Sequence, residues 1–356
     1  MSSTASVKVR NIMIGGGAPV SIQSMTNVSS RDEEALLRQI AELTGAGCQI
    51  VRIAVPDEES AAVLAKVRRR TDVPLVADIH FDHRLAIKAV EAGADKIRIN
   101  PGNIGSDEKV REVVRAAKDA GIPIRVGVNS GSLERDILER FGGVTAEGLC
   151  ESAVRNLERL EGMGFDDLVV SLKSSDVAMN YEAYRLVSRR TSHPLHIGVT
   201  EAGTLKRGII KSAVGIGALL LAGIGDTMRV SLTSDPVREV KLARDILEAC
   251  GLRECAYDLV SCPTCGRTEI DLVGLAEKVD EALSGLRLRK GIKIAVMGCV
   301  VNGPGEARGA DYGVAGGKGK GVIFSRGEIV KTVKEDRIVE ELIDAILEGE
   351  SGNQFK

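Results

Sequence analysis

The chain has 356 residues, 44% of them hydrophobic and 28% charged, with a formal net charge of −2; this is enough for one large domain and a smaller one, and it leaves no basic footprint for nucleic acid. Trp is absent and aromatics make up only 3%, too few for a base-stacking surface. The start, Met1-Ser2-Ser3-Thr4, lacks a charged-then-apolar signal pattern, and the longest apolar stretch, Ala213 to Gly225, falls short of the roughly 20 residues that cross a bilayer, so a cytoplasmic protein with no membrane partner is expected.

Val7 to Val20, with its Gly15-Gly16-Gly17 turn, reads as a hairpin beneath the first domain. From about residue 19 to about 250, short apolar runs alternate with helix-period segments. The runs are Val20 to Ser24, Ile50 to Val55, Leu75 to Ile79, Lys96 to Asn100, Ile124 to Asn129, Leu168 to Lys173, Leu195 to Val199 and Met228 to Leu232. Eight such strands with helices between them predict a (β/α)₈ TIM barrel. Ser30 is a candidate cap for a helix from Arg31 to Thr44 that stops at Gly45.

Barrel strands send alternate side chains inward, and the last inward positions face the mouth at the C-terminal end. In Lys96-Ile97-Arg98-Ile99-Asn100 the polar residues share one parity and the isoleucines the other. Arg125 with Asn129, Arg229 with Ser231, and Asp78 with His80 repeat this pattern, and Arg52, Lys173 and Glu201 fall at or just past strand ends. Arg52, Arg98, Arg125, Lys173 and Arg229 would therefore converge on one mouth. Unpaired they repel one another, so a multiply anionic ligand is the natural counterweight, and guanidinium groups match phosphate oxygens. The plainer reading is a salt-bridge ring with Asp78, Glu201 or other carboxylates. Asp78 and Glu201 are candidates for acid and base. His80 and His83 lie past a strand without helical register, a poor metal pair, and His193 and His196 flank a strand start, where a structural role is expected.

The composition changes after Cys250-Gly251-Leu252, giving a barrel domain over 1–252 and a second domain over 257–356. There Glu269 to Leu283 reads as a helix, Ile292 to Met297 as a strand, Val322 to Val333 as a hairpin through Arg326-Gly327, and Asp336 to Leu347 as a closing helix. Gly313 to Gly321 lacks the Gly-Lys-Ser/Thr ending of a phosphate loop and reads as a flexible hairpin tip, with docking of an acidic electron donor as an alternative use.

The second domain holds Ser261-Cys262-Pro263-Thr264-Cys265-Gly266-Arg267 and Met297-Gly298-Cys299-Val300-Val301-Asn302-Gly303-Pro304-Gly305-Glu306. A Cys-x-x-Cys pair and a third cysteine in a Gly/Pro-rich loop suit one metal centre. Glu306 would then be a hard oxygen in a place that thiolates normally take, a ligand able to yield to substrate. A thiol redox pair, half of a structural zinc site, and a merely solvated Glu306 are the bland alternatives. Cys48, Cys150, Cys250 and Cys255 sit in or beside apolar segments as small core residues.

Taken with Asp78-Ile79-His80-Phe81-Asp82, Arg98 to Asn103, Arg125 to Leu133, Ser171 to Ser175 and Gly198 to Gly203, these motifs span nearly the whole chain. Together they closely resemble the hydroxymethylbutenyl diphosphate synthase family of the non-mevalonate isoprenoid pathway, in its two-domain bacterial form. The resemblance implies a [4Fe-4S] cluster on Cys262, Cys265 and Cys299 with Glu306 on the fourth iron. The implied reaction is two-electron reductive opening and dehydration of methylerythritol cyclodiphosphate. By motif, Arg52, Arg98, Arg125, Lys173 and Arg229 match the diphosphate-holding positions, and Asn100, Asn129, Thr200 and Ser231 match further substrate contacts. Asp78, Glu201 and Asn302 match polar residues near the reacting carbons. The resemblance also implies flavodoxin or ferredoxin as electron donor and a head-to-tail homodimer; the barrel is similar in fold to pteroate synthase. The competing readings are a phosphate-binding lyase or aldolase with a structural zinc module, and a non-catalytic metal sensor.

Overall fold

The structure is a computed structural model that describes residues 4–286, 288, 291–299 and 309–352. It forms two compact units, one up to Leu252 and one from Arg253.

In the first unit β1 (Val7–Val9) and β2 (Ile12–Ile14) form an antiparallel hairpin. Its buried Val9 and Ile14 pack against Ile50 and Val76, so the predicted hairpin closes the barrel from below. The barrel strands are β3 (Ser21–Met25), β4 (Ile50–Ala54), β5 (Leu75–Asp78), β6 (Lys96–Ile99), β7 (Ile124–Asn129), β8 (Leu168–Lys173), β9 (His196–Ile197) and β10 (Thr227–Met228). They are hydrogen-bonded in the order β8-β7-β6-β5-β4-β3-β10-β9, and a parallel bridge from Val170 to Leu195 joins the two ends. This is the eight-stranded parallel barrel that the alternation of runs predicts.

Helices wrap the barrel with one apolar stripe inward. In Asp107–Ala120 the buried residues are Val110, Val113, Val114 and Ala117, the spacing of a single helical face. Each such valine contributes about 1.5–3 kcal/mol by burial. The first helix begins later than predicted, at Glu33, because the Asp32 carboxylate and not Ser30 accepts the free amide of Ala35. Strands β9 and β10 are shorter than the runs suggest, since chain from Gly198 and Arg229 onward leaves the sheet to build the mouth.

The second unit has a five-stranded sheet in the order β11 (Tyr257–Ser261), β12 (Ile292–Met297), β13 (Tyr312–Gly317), β14 (Lys320–Ser325) and β15 (Glu328–Lys334). The first three run parallel and the last two antiparallel to their neighbours. Helices Leu272–Ser284 and Ile338–Gly352 cover it through Leu275, Val279, Leu283, Leu342 and Ile346. The stretch read as a flexible tip, Gly313 to Gly321, is mostly strand. Its glycines let other chain segments pack against the sheet, and a Cβ at Gly321 would lie 2.6 Å from Ile338 Cδ1. Only Lys318 (φ 50°) and Gly319 (φ 71°) form the turn, both left-handed as a two-residue hairpin demands. Among the described residues no helix is long and apolar enough to cross a membrane.

Candidate active site

The C-terminal ends of the barrel strands enclose a cavity of about 260 Å³. Arg52, Asp78, Arg98, Asn129, Lys173, Thr200, Arg229 and Ser231, all singled out by parity or motif, line it together with Met25, His80 and Ser171. Four cationic side chains thus face one carboxylate across the lining.

Asp78 holds the centre of this arrangement. Its Oδ2 lies 3.2 Å from His80 Nε2 and 3.9 Å from Arg52 Nε, and its Oδ1 lies 3.5 Å from Arg98 Nη1. Burial by itself would raise the Asp78 pKa, but the Arg52 charge, the His80 hydrogen bond and the Arg98 charge outweigh it and hold the carboxyl well below its usual range. Asp78 is therefore ionised at neutral pH, which suits an orienting counter-ion better than a proton donor.

The cations have other supports. Arg52 donates from Nε and Nη2 to Met25 Sδ at 3.0 and 2.8 Å, weak acceptor contacts that leave the positive charge for a ligand. Arg229 is steadied by Glu239, buried on the helix Pro236–Ala249, at 3.5 Å. With its amide oxygen turned toward Arg98, Asn129 accepts from Nη2 at 3.2 Å. Burial, then repulsion from Arg52, Arg229, Arg125 and Arg98, pushes Lys173 well below the ordinary lysine range, and burial followed by the Arg52 charge brings Arg229 to about 10. A pocket that strains its own cations toward neutrality is one that an anion relieves.

Two glycines make room for this chemistry. A Cβ on Gly127 would press into the Arg98 guanidinium, 2.8 Å from Nη2 and 2.9 Å from Cζ, and one on Gly198 would lie 2.6 Å from the Arg229 carbonyl oxygen. At these inward positions the space of a missing side chain is given to charged groups.

Three predicted residues lie off the lining. Arg125 is fully buried deeper in the barrel, where burial and the charges of Arg52 and Arg98 lower its pKa well below the usual value and its Nη1 donates to Gln23 Oε1 at 3.3 Å. Asn100 is buried, and its Oδ1 accepts from the Gly102 amide at 3.1 Å to cap the short helix Pro101–Ile104. Glu201 follows Thr200 in a left-handed conformation (φ 50°) and is exposed, a backbone placement that costs a non-glycine residue about 1 kcal/mol or more.

In the second unit, Cys262 follows β11 and Cys299 follows the end of β12, neighbouring parallel strands in which Ser261 stands opposite Val296. The Gly298 amide donates to Cys262 Sγ at 3.3 Å. Cys265 is exposed in the next turn, its amide on Thr268 Oγ1 at 3.2 Å and its carbonyl accepting from the Thr268 amide at 2.9 Å. Three thiols at one end of a sheet, one already receiving a backbone N–H, are a donor set that fits an iron–sulfur group. Among the described residues no three Cys, His, Asp or Glu side chains converge tightly enough to enclose a single metal ion, and Asn302 and Glu306 lie outside the described residues.

Residues 4–244 match the GcpE TIM-barrel domain and residues 258–348 the GcpE protein C-terminal domain. The chain belongs to the GcpE family. Within that family it is 57% identical to a protein of Clostridium perfringens over 96% of this chain and 98% of that one, and 55% identical to one of Caldanaerobacter subterraneus over 96% of each. A Bacillus cytotoxicus protein is 53% identical over 100% of this chain and 97% of its own. All three bear the name 4-hydroxy-3-methylbut-2-en-1-yl diphosphate synthase (flavodoxin). Among solved structures, Yersinia pestis dihydropteroate synthase is 16% identical, with a TM-score of 0.49 over 70% of this chain and 98% of its own. Sequence reasoning missed Met25 and Glu239 as a member and a support of the GcpE site, because neither a thioether nor a helix-borne carboxylate carries a strand-parity signal; Ser171 enters it only within its motif, although it shares the parity of Lys173 on β8.

Proposed function

We infer that the chain performs the reaction named for its GcpE relatives, reductively opening 2-C-methyl-D-erythritol 2,4-cyclodiphosphate to 4-hydroxy-3-methylbut-2-enyl diphosphate in non-mevalonate isoprenoid synthesis. The observation that carries this reading is the cavity in which Arg52, Arg98, Lys173 and Arg229 face Asp78 alone among carboxylates of the lining. Its volume suits a small cyclic diphosphate.

Breaking a ring C–O bond with two electrons frees a phosphate oxygen, and the departing hydroxyl takes up a proton to leave as water. The diphosphate gains negative charge as the ring opens, so cations fixed before the reaction stabilise the product-like transition state more than the substrate. Asp78 keeps Arg52 and Arg98 oriented without cancelling them. Asn129, Thr200 and Ser231 supply neutral hydrogen bonds at the rim, and Arg125 and Asn100 act from below and beside the cavity. Glu201, held at the mouth by its unusual backbone, is the candidate proton donor to the hydroxyl, with Asn302 a further polar contact.

Cys262, Cys265 and Cys299 would hold a [4Fe-4S] cluster, with Glu306, carried over from the family motif, as the fourth, exchangeable ligand. When bound, that group supplies low-potential electrons and a Lewis-acidic iron. A flavodoxin is the electron donor, as the relatives' names suggest, with ferredoxin as the other carrier of this kind. Such a centre belongs in the reducing cytoplasm. The cluster end must reach a barrel mouth, and a head-to-tail homodimer provides this. Helix Leu205–Leu221 supports a subunit contact, since Ile210, Val214 and Leu221 on one face are 60%, 56% and 73% exposed.

The test is anaerobic reconstitution, followed by iron and acid-labile sulfide analysis and turnover of the cyclodiphosphate with reduced methyl viologen. Zinc without iron, or no allylic diphosphate formed by iron-loaded protein, overturns the reading.

A further inference from the structure

We propose that Lys318, Lys320 and Lys334 form the docking surface for the electron-donating protein, and that the donor presents an acidic face there. The inference rests on the reading above that a flavodoxin-type carrier supplies the electrons, and adds where on this chain it lands.

Strand topology places these lysines. Strands β11, β12 and β13 run the same way, so the ends that lead to Cys262, Cys299 and the Lys318-Gly319 turn share one edge of the sheet. Gly317 pairs with Lys320 across that turn, and Lys320 with Lys334 at the end of β15. At about 4.8 Å per strand, β14 and β15 stand roughly 10 and 14 Å across the sheet from β12. The basic edge is thus beside the cysteine edge, whereas the other hairpin turn, Arg326-Gly327, is at the far end.

The charges there are poorly matched within the fold. Lys320 and Lys334 are direct cross-strand partners, an arrangement that like charges disfavour. All three lysines are exposed. Among the described residues none of them enters an ion pair, while neighbouring Lys331 pairs with Glu341, and Arg337 with Glu340 and Glu341. The adjacent acid Glu335 is half-buried, and its Oε1 accepts the Asp271 amide at 3.1 Å. That bond ties the end of β15 to the segment leading from Cys265 into helix Leu272–Ser284. Asp336, which follows Glu335, and Arg267, which follows Cys265 by two residues, are also exposed.

Exposed lysines that repel each other suit a transient, steered encounter more than a tight complex. Small redox encounters have this character, and an acidic partner face would relieve the Lys320–Lys334 repulsion while bringing its redox centre to the cysteine edge.

The experiment uses cluster-loaded wild-type protein and the K318E/K320E/K334E variant, each assayed with reduced bacterial flavodoxin and with reduced methyl viologen. Binding of oxidised flavodoxin is measured by titration at several salt concentrations. We expect the variant to keep viologen-driven turnover within twofold. Its kcat/KM for flavodoxin should fall about 10- to 100-fold at low salt, with the binding affinity falling in step and losing most of its salt dependence. Flavodoxin kcat/KM and affinity within twofold of wild type overturn the inference, as does equal loss with both reductants. Wild-type protein inert even with viologen overturns the proposed function, and the inference with it.

Discussion

Replacing Gly127 with alanine separates the geometry of the pocket from the stability of the barrel. The added carbon would sit 2.8 and 2.9 Å from Nη2 and Cζ of Arg98, where ordinary contact begins at 3.4 Å. Arg98 is only 7% exposed and is bounded by Asp78, so its guanidinium must swing by about 1 Å toward the cavity, and misplacing a positioning group by that much costs about 100-fold in rate. Loss of one charged hydrogen bond, about 1.5–3 kcal/mol, gives a similar factor. We expect kcat/KM for the cyclodiphosphate with reduced methyl viologen to fall roughly 10- to 100-fold, and the melting temperature to move by no more than a few degrees. Gly198→Ala is the contrast. Its new carbon meets the Arg229 carbonyl, which is backbone, so the strand must yield, and overpacking of about 1–3 kcal/mol should lower the melting temperature by several degrees. A Gly127→Ala enzyme with wild-type kcat/KM would refute the claim that this missing side chain makes room for Arg98.

Asp78→Asn leaves Arg52 and Arg98 without their carboxylate, a one-sided loss of about 3–5 kcal/mol and roughly 10 °C; inorganic pyrophosphate should restore much of it in a thermal melt, and a melt unaffected by the substitution would contradict the pairing. Because the folded Asp78 pKa lies below its unfolded value, its stabilisation is complete above about pH 4 and is lost as pH falls through the lowered folded value. Denaturant titrations across acid pH should therefore show a shallower slope in the variant. Lys173 carries the opposite sign: its lowered pKa means that pyrophosphate binding draws in a proton, so affinity should decline as pH rises through that lowered pKa. Calorimetry in buffers of differing ionisation heat should detect the uptake, and Lys173→Met should abolish it. Cys299→Ser should lose iron and sulfide while the barrel keeps its melting transition, and a fully loaded variant would remove Cys299 from the ligand set.

Much of this site could be read from residue order alone, because strand parity is local: Lys96, Arg98 and Asn100 alternate with isoleucines, and the cysteine spacings stand in plain view. What could not be read depends on shear and on distant chain. Parity places Arg125 inward but not its height, and the structure sets it below the cavity. Glu239 reaches Arg229 from a helix ten residues onward, and Met25 meets two arginines from strands far apart in sequence. The left-handed backbone at Glu201 has no signature, since glutamate is not a residue that announces such a turn. Gly313 to Gly321 looked loose because glycine marks both turns and close packing, and only the neighbours Ile270 and Ile338 tell the two apart.

The excess of positive side chains in the barrel mouth has a practical corollary for anyone handling the protein. Phosphate or sulfate in a purification buffer would compete for the same guanidinium groups, masking inhibition and inflating apparent heat stability. Inhibitor chemistry is constrained in the same way: an uncharged mimic would have to displace water from Arg52, Arg98, Lys173 and Arg229 while giving them nothing in return, so useful compounds need an acidic head.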